Sequence, residues 1–488
     1  MDEQQYKRLA QICDKLLFGQ PDNIYRIAIN WLHVPRADAF LLAKYENPQK
    51  RFFIRFLYYL AHRLRRLCKS CLFHIFSFNL HKIDGKKDLL IISHLINIDH
   101  YHQEADFYFG KVNVDLDVQF LLKNHTNYSV KKIQSTCQSS THKSLASKII
   151  LPTTINPFVE LFFLVKSFQQ FILLFLMGLR CKDSFERAVM FRAASESMSL
   201  STFDALKMHY QTGIVLKKTK PKAILTTYEG HAWARLVCRS AKQYDPSILR
   251  LGYRHLPIFR LEHSNQRPLN ADFNPDYILT AGEIGYKQFK RMAKQLKCQF
   301  AILSNPKRIN ITRKNTQSVC LVLPAMFEEH AHFFTYAIDC ARRHPEIMFL
   351  LRPHPNHTKQ QLFKQVEALN HLPPNAKLSS NPIEEDIACA KWAMYTGTSA
   401  IIQAGMAGVI PIYLKMPSPY YKIKSQLHVD ILHELSDKIP QAMSCEDFSH
   451  IVKTQPDVSA IVDYCQKLYS EMDYSIVKEI IEKWQKLN

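Results

Sequence analysis

The chain has 488 residues, length for two or three domains with separate cores, and 47% apolar with 22% charged residues excludes a disordered or fibrous protein. Lys and Arg number 64 against 43 Asp and Glu, and the resulting net charge of +21 asks for a polyanionic partner. Only 12 glycines are present, which argues against a glycine-rich phosphate loop as the chemistry.

The first residues, MDEQQYKRLAQICDKLL, lack the basic-then-apolar run of a secretory signal, so a cytoplasmic location is expected, with the 12 cysteines as reduced thiols. Cys68 and Cys71 form a CxxC with neither a second pair nor a nearby His pair, and read as two helical thiols with no metal site. Residues 44–87 carry 11 Lys/Arg against Glu46 and Asp84. On a helical wheel, Phe53, Phe56, Leu57, Leu60, Leu64, Leu67, Cys71 and Ile75 share one side of this segment. Arg51, Arg55, His62, Arg65, Arg66 and Lys69 share the other. This pattern fits an in-plane helix on anionic lipid with Arg51, Arg55, Arg63, Arg65, Arg66 and Lys69 at the headgroups, or a core-packed helix with a basic outer face.

Residues 157–179 are strongly apolar but interrupted by Glu160, Lys166, Ser167, Gln169 and Gln170. The uninterrupted run is too short to span a bilayer, so a buried or an interfacial helix is expected. Together the two segments predict peripheral attachment to an anionic membrane surface, on the cytoplasmic face of the inner membrane. Nucleic acid is the minor reading, because neither zinc-finger spacing nor a nucleic-acid fold signature is present.

From residue 88 the pattern changes. Apolar runs at 88–95, 118–124, 148–152, 222–230, 248–254 and 276–283 alternate with helical periodicity, and a second series follows at 318–326, 346–355, 392–397 and 409–414. Continuous apolar strands alternating with helices predict an α/β fold of two doubly wound Rossmann-like lobes, 88–304 and 318–488, joined by a polar basic linker at 305–317. Residues 1–87 form a helical basic extension. A last amphipathic helix is predicted over 471–488, with Ile476, Ile480, Ile481 and Trp484 on one face.

Ligands of open parallel sheets bind beyond the carboxyl ends of the strands, and three such ends carry chemistry. At 350–357, Arg352 precedes His354, which is bracketed by Pro353 and Pro355, a rigid presentation of an imidazole toward a phosphate. At 395–400, Gly397, Thr398 and Ser399 lead into a helix, where hydroxyls cap free N–H groups and the helix dipole favours an anion. At 225–237, Glu229-Gly230 ends a strand before a helix holding Trp233 and Arg235, and places a carboxylate as general base or as partner of the helix dipole. His255 and, in the loop 94–110, Asp99, His100, Glu104 and Asp106 are further candidate acids or bases.

In order and spacing, Glu229-Gly230, His354-Pro355 and Thr398-Ser399 resemble the acidic-Gly, His-Pro and Ser/Thr-Ser motifs of bacterial GT-B sialyltransferases and related surface-carbohydrate biosynthesis proteins. The resemblance implies an inverting, metal-independent glycosyltransferase with no cofactor beyond its CMP-sugar donor, a sialic-acid-like or other keto-sugar. Its acceptor would be a cell-surface glycan or a lipid-linked precursor. Arg352, His354, Gly397, Thr398 and Ser399 would hold the donor. Tyr228 stands where that family has its base, so the base falls to Glu229, His255 or the 94–110 loop. Two other readings share the architecture: a CDP-polyol phosphotransferase, and a non-catalytic membrane-associated glycan-binding module.

Overall fold

The computed structural model describes residues 3–33, 52–73, 85–126, 128–137, 147–308, 310–314, 318–325, 329–353, 358–415, 430–454 and 456–487. His354 and Arg51 therefore lie outside the described residues.

The helices that matter to the site are α1 (Glu3–Phe18), α2 (Phe52–Phe73), α3 (Pro157–Arg180), α4 (Ser184–Ser197), α5 (Leu200–Thr219), α6 (Ala232–Tyr244), α7 (Glu283–Met292), α8 (His330–Arg343), α9 (Ala400–Met406), α10 (Ser459–Leu468) and α11 (Ser475–Leu487). The first sheet holds β1 (Leu89–Leu95), β2 (Val118–Asn124), β3 (Ser147–Ile150), β4 (Ala223–Thr227), β5 (Leu249–Arg254), β6 (Tyr277–Thr280) and β7 (Gln299–Ile302). Its order is β3-β2-β1-β4-β5-β6-β7, parallel throughout. The second holds β8 (Val319–Leu323), β9 (Met348–Leu351), β10 (Ala376–Leu378), β11 (Trp392–Tyr395), β12 (Ile410–Leu414) and β13 (Gln441–Ala442). Its order, β10-β9-β8-β11-β12-β13, repeats the same doubly wound pattern, again parallel. In both sheets the strand order reverses beside the first strand, at β1/β4 and at β8/β11, and crevices open at such reversals.

Each strand is apolar along its whole length because helices cover both faces. Leu90, Ile92, Leu121 and Ile224 pack on Met208, Val215 and Leu216 of α5 and Val237 and Ala241 of α6. On the opposite face Leu89, Ile91, Phe120, Leu225 and Leu251 pack with Val477, Ile480 and Ile481 of α11. The last helix thus closes the first sheet, not the second. The Tyr474 hydroxyl donates to the Phe109 carbonyl at 2.6 Å and Trp484 Nε1 to the Ser247 carbonyl at 2.7 Å.

The amino-terminal helices join the same body. Tyr6, Leu9, Cys13, Leu16 and Leu17 of α1 are buried in the main core, and Asp14 accepts from His263 at 2.7 Å and from the fully buried Arg267 at 2.5 Å.

Helix α2 corrects the expected membrane stripe. Arg63 is fully buried over the Phe203 ring, and Arg66 lies over the same ring with Glu160 and Asp204 within 4 Å. Arg55 is half-buried beside Arg192 and Glu196. Only Arg65 and Lys69 of the described set are exposed. The outward face carries Phe53, Ile54, Leu57, Tyr58, Leu64 and Leu72 instead. The wheel separated polar from apolar residues but could not show which side met protein. Helix α3 is turned the same way: Glu160, Ser167 and Gln170 are buried, while Phe158, Leu161, Phe162, Val165, Phe168, Ile172, Leu173, Leu176 and Met177 are exposed. At 24 residues, about 36 Å long, α3 is long and apolar enough to cross a membrane, contrary to expectation. Its inner face instead packs on α4 and α2.

Ile481 tests the docking of α11. Ile481→Ala removes a side chain only 2% exposed and is expected to cost about 2–5 kcal/mol in urea denaturation. A change within experimental error would show that α11 does not pack on the first sheet.

Candidate functional site

At the first reversal, β4 ends at Thr227 and the next two residues diverge. Tyr228 is fully buried among Ala234, Ile258, Ile278 and Phe289, with Arg235 over its ring at 5.5 Å, so it points into the core. Glu229 is half-buried beyond the strand end. The chain can turn there because Gly230 adopts φ +73°, and a Cβ at that position would meet the Ser264 backbone at 2.6 Å. Ser264 Oγ donates to the Glu229 carbonyl at 2.9 Å and locks the turn.

The Glu229 carboxylate lies between two imidazoles, 3.2 Å from His231 Nε2 and 3.6 Å from His255 Nε2. Burial alone would raise its pKa, but the His231 hydrogen bond and the charges of His255 and Arg254 hold it well below the usual value. A carboxylate so stabilised is a weak proton acceptor in its own right. Its chemistry is to orient an imidazole and stabilise that imidazole's cation, as carboxylates do beside catalytic histidines. Glu229 and His255, both predicted, are thus brought together, and His231 joins them.

The sequence did not show the partner pair on the neighbouring strands. His94 on β1 lies 2.8 Å (Nδ1) from His125 Nε2 just beyond β2, and 3.3 Å (Nε2) from Thr227 Oγ1 on β4. Trp233 stands edge-on to His94 at 5.0 Å. Burial, with the neighbouring positive charges, pushes the His94 pKa down to about 3 and that of His125 to about 4, so both imidazoles are neutral near pH 7. Two tautomer arrangements satisfy the chain His125–His94–Thr227: in one His125 Nε2–H donates to His94 Nδ1 and His94 Nε2–H to Thr227, and in the other the Thr227 hydroxyl donates to His94 Nε2 and His94 Nδ1–H to His125.

The acids of the 94–110 loop are placed otherwise. Asp106 is buried and accepts from Ser93 Oγ and from the Tyr108 and Phe109 amides, a structural turn. Glu104 pairs with Lys111 at 2.9 Å on the surface. Tyr108 from this loop reaches the site, edge-on to His255 at 4.9 Å.

At the second reversal, Gly397, Thr398 and Ser399 follow β11 into α9 as expected, with Thr398 Oγ1 accepting from the Ala400 amide at 3.4 Å. Ser399 makes no side-chain cap. The loop is fixed by Glu329, which sequence reading passed over. Its carboxylate accepts from Thr396 Oγ1 at 3.2 Å and from the Ala325 amide beyond β8 at 2.7 Å, tying the two strand ends together. Arg352 uses Nη1 to hold buried Asp386 and the Asn381 carbonyl, both at 2.7 Å.

The two carboxyl edges converge. Ser399 lies beside the buried Tyr469 phenol, which also feels the charge of Arg254 at the end of β5. Asn305 donates to the His255 carbonyl at 2.9 Å.

No protein-family model and no curated protein matches the chain. Solved structures align with it at low identity. UDP-GlcNAc 2-epimerase from Neisseria meningitidis bound to UDP-GlcNAc is 9% identical over 82% of this chain and 100% of its own (TM-score 0.39). MurG from Acinetobacter baumannii is 11% identical over 82% and 99% (TM-score 0.42). UGT2 from Phytolacca americana, complexed with UDP-2fluoro-glucose and pterostilbene, is 11% identical over 82% and 100% (TM-score 0.44). A likeness of this degree assigns no residue and no activity to the chain.

The Glu229 cluster has a pH signature. Folding favours ionised Glu229, so its contribution is complete above the unfolded carboxyl value of 4.5 and is lost as pH falls through the lowered folded value. Urea midpoints of the wild type and Glu229→Gln should therefore differ near pH 7 and draw together in acid. A gap that stays constant down to about pH 3 would contradict the charged pairing.

Proposed function

We propose that the chain is a glycosyltransferase that takes a nucleotide-sugar donor at the second lobe and an acceptor hydroxyl at the first. The observation that carries this reading is the matched pair of strand reversals whose carboxyl edges meet. One edge carries hydroxyl groups and the other a carboxylate set between imidazoles. In this reading His255, oriented by Glu229, removes the acceptor proton, and Thr398, Ser399 and His354 steady the departing nucleotide phosphate. Tyr228 lies in the core while Glu229 stands at the strand end, which favours an enzyme over a non-catalytic module. The motif resemblance favours a CMP-linked keto-sugar and an inverting, metal-independent transfer.

Stabilisation by nucleotides tests the donor. Ligand at one hundred times Kd stabilises the native state by about 2.7 kcal/mol. Among CMP, CDP, UDP, GDP and ADP, CMP should raise the melting temperature most, and His354→Ala or Ser399→Ala should abolish the rise. Protection by UDP instead would retain a transferase but remove the cytidine donor. Protection by no nucleotide would remove the reading altogether.

The reading includes peripheral attachment to a membrane on its cytoplasmic face, through the apolar outer faces of α2 and α3 and not through an arginine stripe. These two helices turn polar groups inward and apolar groups outward, the reverse of a helix facing water. Exposed Arg65, Lys69 and Arg180 supply cations for anionic headgroups. Leu161→Lys with Leu173→Lys should release the protein from anionic vesicles in sedimentation while leaving nucleotide stabilisation unchanged. Undiminished sedimentation would exclude this surface.

A further inference from the structure

A cavity of about 180 Å³ opens beyond the ends of β2 and β3, lined by Arg66, Lys123, His125, Asp204, Lys207 and Gln211 among others. It is separate from the Glu229 cluster and joined to it through His125, which lines the cavity and contacts His94. Three cations face it against one carboxylate. Asp204 is paired with Lys207 at 3.1 Å and lies 3.8 Å from Arg66. That leaves Lys123 with no hydrogen bond or ion pair among the described residues, although the residue is half-buried. On their inner sides Arg66 meets Glu160 at 3.7 Å and donates Nη2 to the Thr153 carbonyl, and Gln211 donates Nε2 to the Pro152 carbonyl at 2.8 Å. A cation withdrawn from water without an anion is costly, and burial drives the Lys123 and Lys207 pKa values down. The cavity wall thus supplies a surplus of positive charge, with Lys123 its unpaired cation among the described residues.

We propose that this cavity binds a phosphate or diphosphate group of the acceptor. The proposal rests on the reading that the first lobe takes the acceptor. Neighbouring parallel strands are about 4.8 Å apart, so Lys123 on β2 and the Glu229 turn after β4, two strands away, are separated by roughly 10 Å along the sheet edge. That span fits a sugar whose phosphate is held at Lys123 while a hydroxyl reaches the Glu229–His255 pair. Arg66 carries the cavity wall onto α2, whose opposite side is the exposed apolar face. An acceptor phosphate attached to a lipid would therefore have a surface for its chain beside the cavity, whereas a water-soluble phosphorylated glycan would use the cavity alone.

The test titrates the full chain with inorganic phosphate and pyrophosphate by calorimetry, beside Lys123→Met. Wild-type protein should bind pyrophosphate, and the variant should bind it about tenfold or more weakly, as expected for loss of one charge-assisted contact. Because Lys123 makes no hydrogen bond or ion pair among the described residues, the variant should also be as stable as the wild type, or more so, in phosphate-free buffer. A structural lysine would give the opposite stability result. Arg66→Met provides a second reading of affinity from another cavity wall. Vesicles of phosphatidylcholine with and without dihexadecyl phosphate separate the sources. Pyrophosphate-sensitive binding only to the phosphate-bearing vesicles assigns a lipid phosphate, and pyrophosphate binding without vesicle competition assigns a soluble one. Absence of binding to all these phosphates, or equal affinity in both variants and wild type, overturns the proposal. The nucleotide screen reads the other lobe, so a failed donor assignment with intact, Lys123-dependent pyrophosphate binding leaves the anion site standing and removes only its role in transfer.

Discussion

The buried carboxylate of Glu160 is the constraint on which the helical side of the molecule turns. It is 1% exposed, accepts from Ser70 Oγ on α2, and lies 3.7 Å from Arg66 Nε. Its negative charge also draws in Arg63, the fully buried guanidinium. Removing one partner from a buried ion pair typically costs 3–5 kcal/mol because the other is stranded, so the rotation of α2 about its axis is not free. Once Arg63, Arg66 and Ser70 are turned inward to meet Glu160, the leucines and aromatics of α2 must turn outward. The same rotation delivers Arg66 to the wall of the phosphate cavity. One buried charge thereby fixes both the apolar outer surface and part of the polar inner one.

A similar economy governs the strand ends. In the first sheet, Glu229 is weakened as a base by the groups that hold it ionised, and the imidazoles around it gain orientation from that weakness. His94 and His125, a strand or two away, are held neutral by burial and by neighbouring positive charge. In the second sheet the corresponding carboxylate, Glu329, is spent on fixing a hydroxyl loop. The two reversals have the same topology, and their carboxylates have different work.

Much of the sheet architecture was legible because strands buried on both faces must be apolar throughout. The runs at 88–95, 118–124 and 409–414 correspond to β1, β2 and β12 within a residue. Strands β7, β10 and β13 were missed because QFAI, AKL and QA are short, only partly buried edge strands with no continuous apolar run. The His94–His125 pair was invisible because it depends on parallel pairing of His94 with Lys123 and Leu95 with Asn124, a register that a separation of 31 positions conceals. Arg352 read as a phosphate ligand, but Asp386 lies 34 positions further on and meets it only after the second sheet has formed. The helix wheel failed for a different reason. It assumes that apolar residues seek protein and polar ones water, and a buried carboxylate on the adjoining helix reverses that assumption.

The return of α11 to the first sheet means that the chain passes between the lobes twice, and the two passages run side by side. Asp473 donates its amide to the Leu303 carbonyl at 3.2 Å, Asn305 its amide to the Ser470 carbonyl at 3.3 Å, and Arg308 Nη1 reaches the Tyr469 carbonyl at 3.2 Å. A single tether would let one lobe swivel in any direction. Two tethers laced together act as the pin of a door, favouring opening and closing about their shared line and resisting twist across it. The Ser399 loop and the His255 end of β5 sit next to that pin, where a given rotation produces the least displacement. Under any rotation about such a line, groups near it would keep their register and the lobe margins farther out would be displaced most.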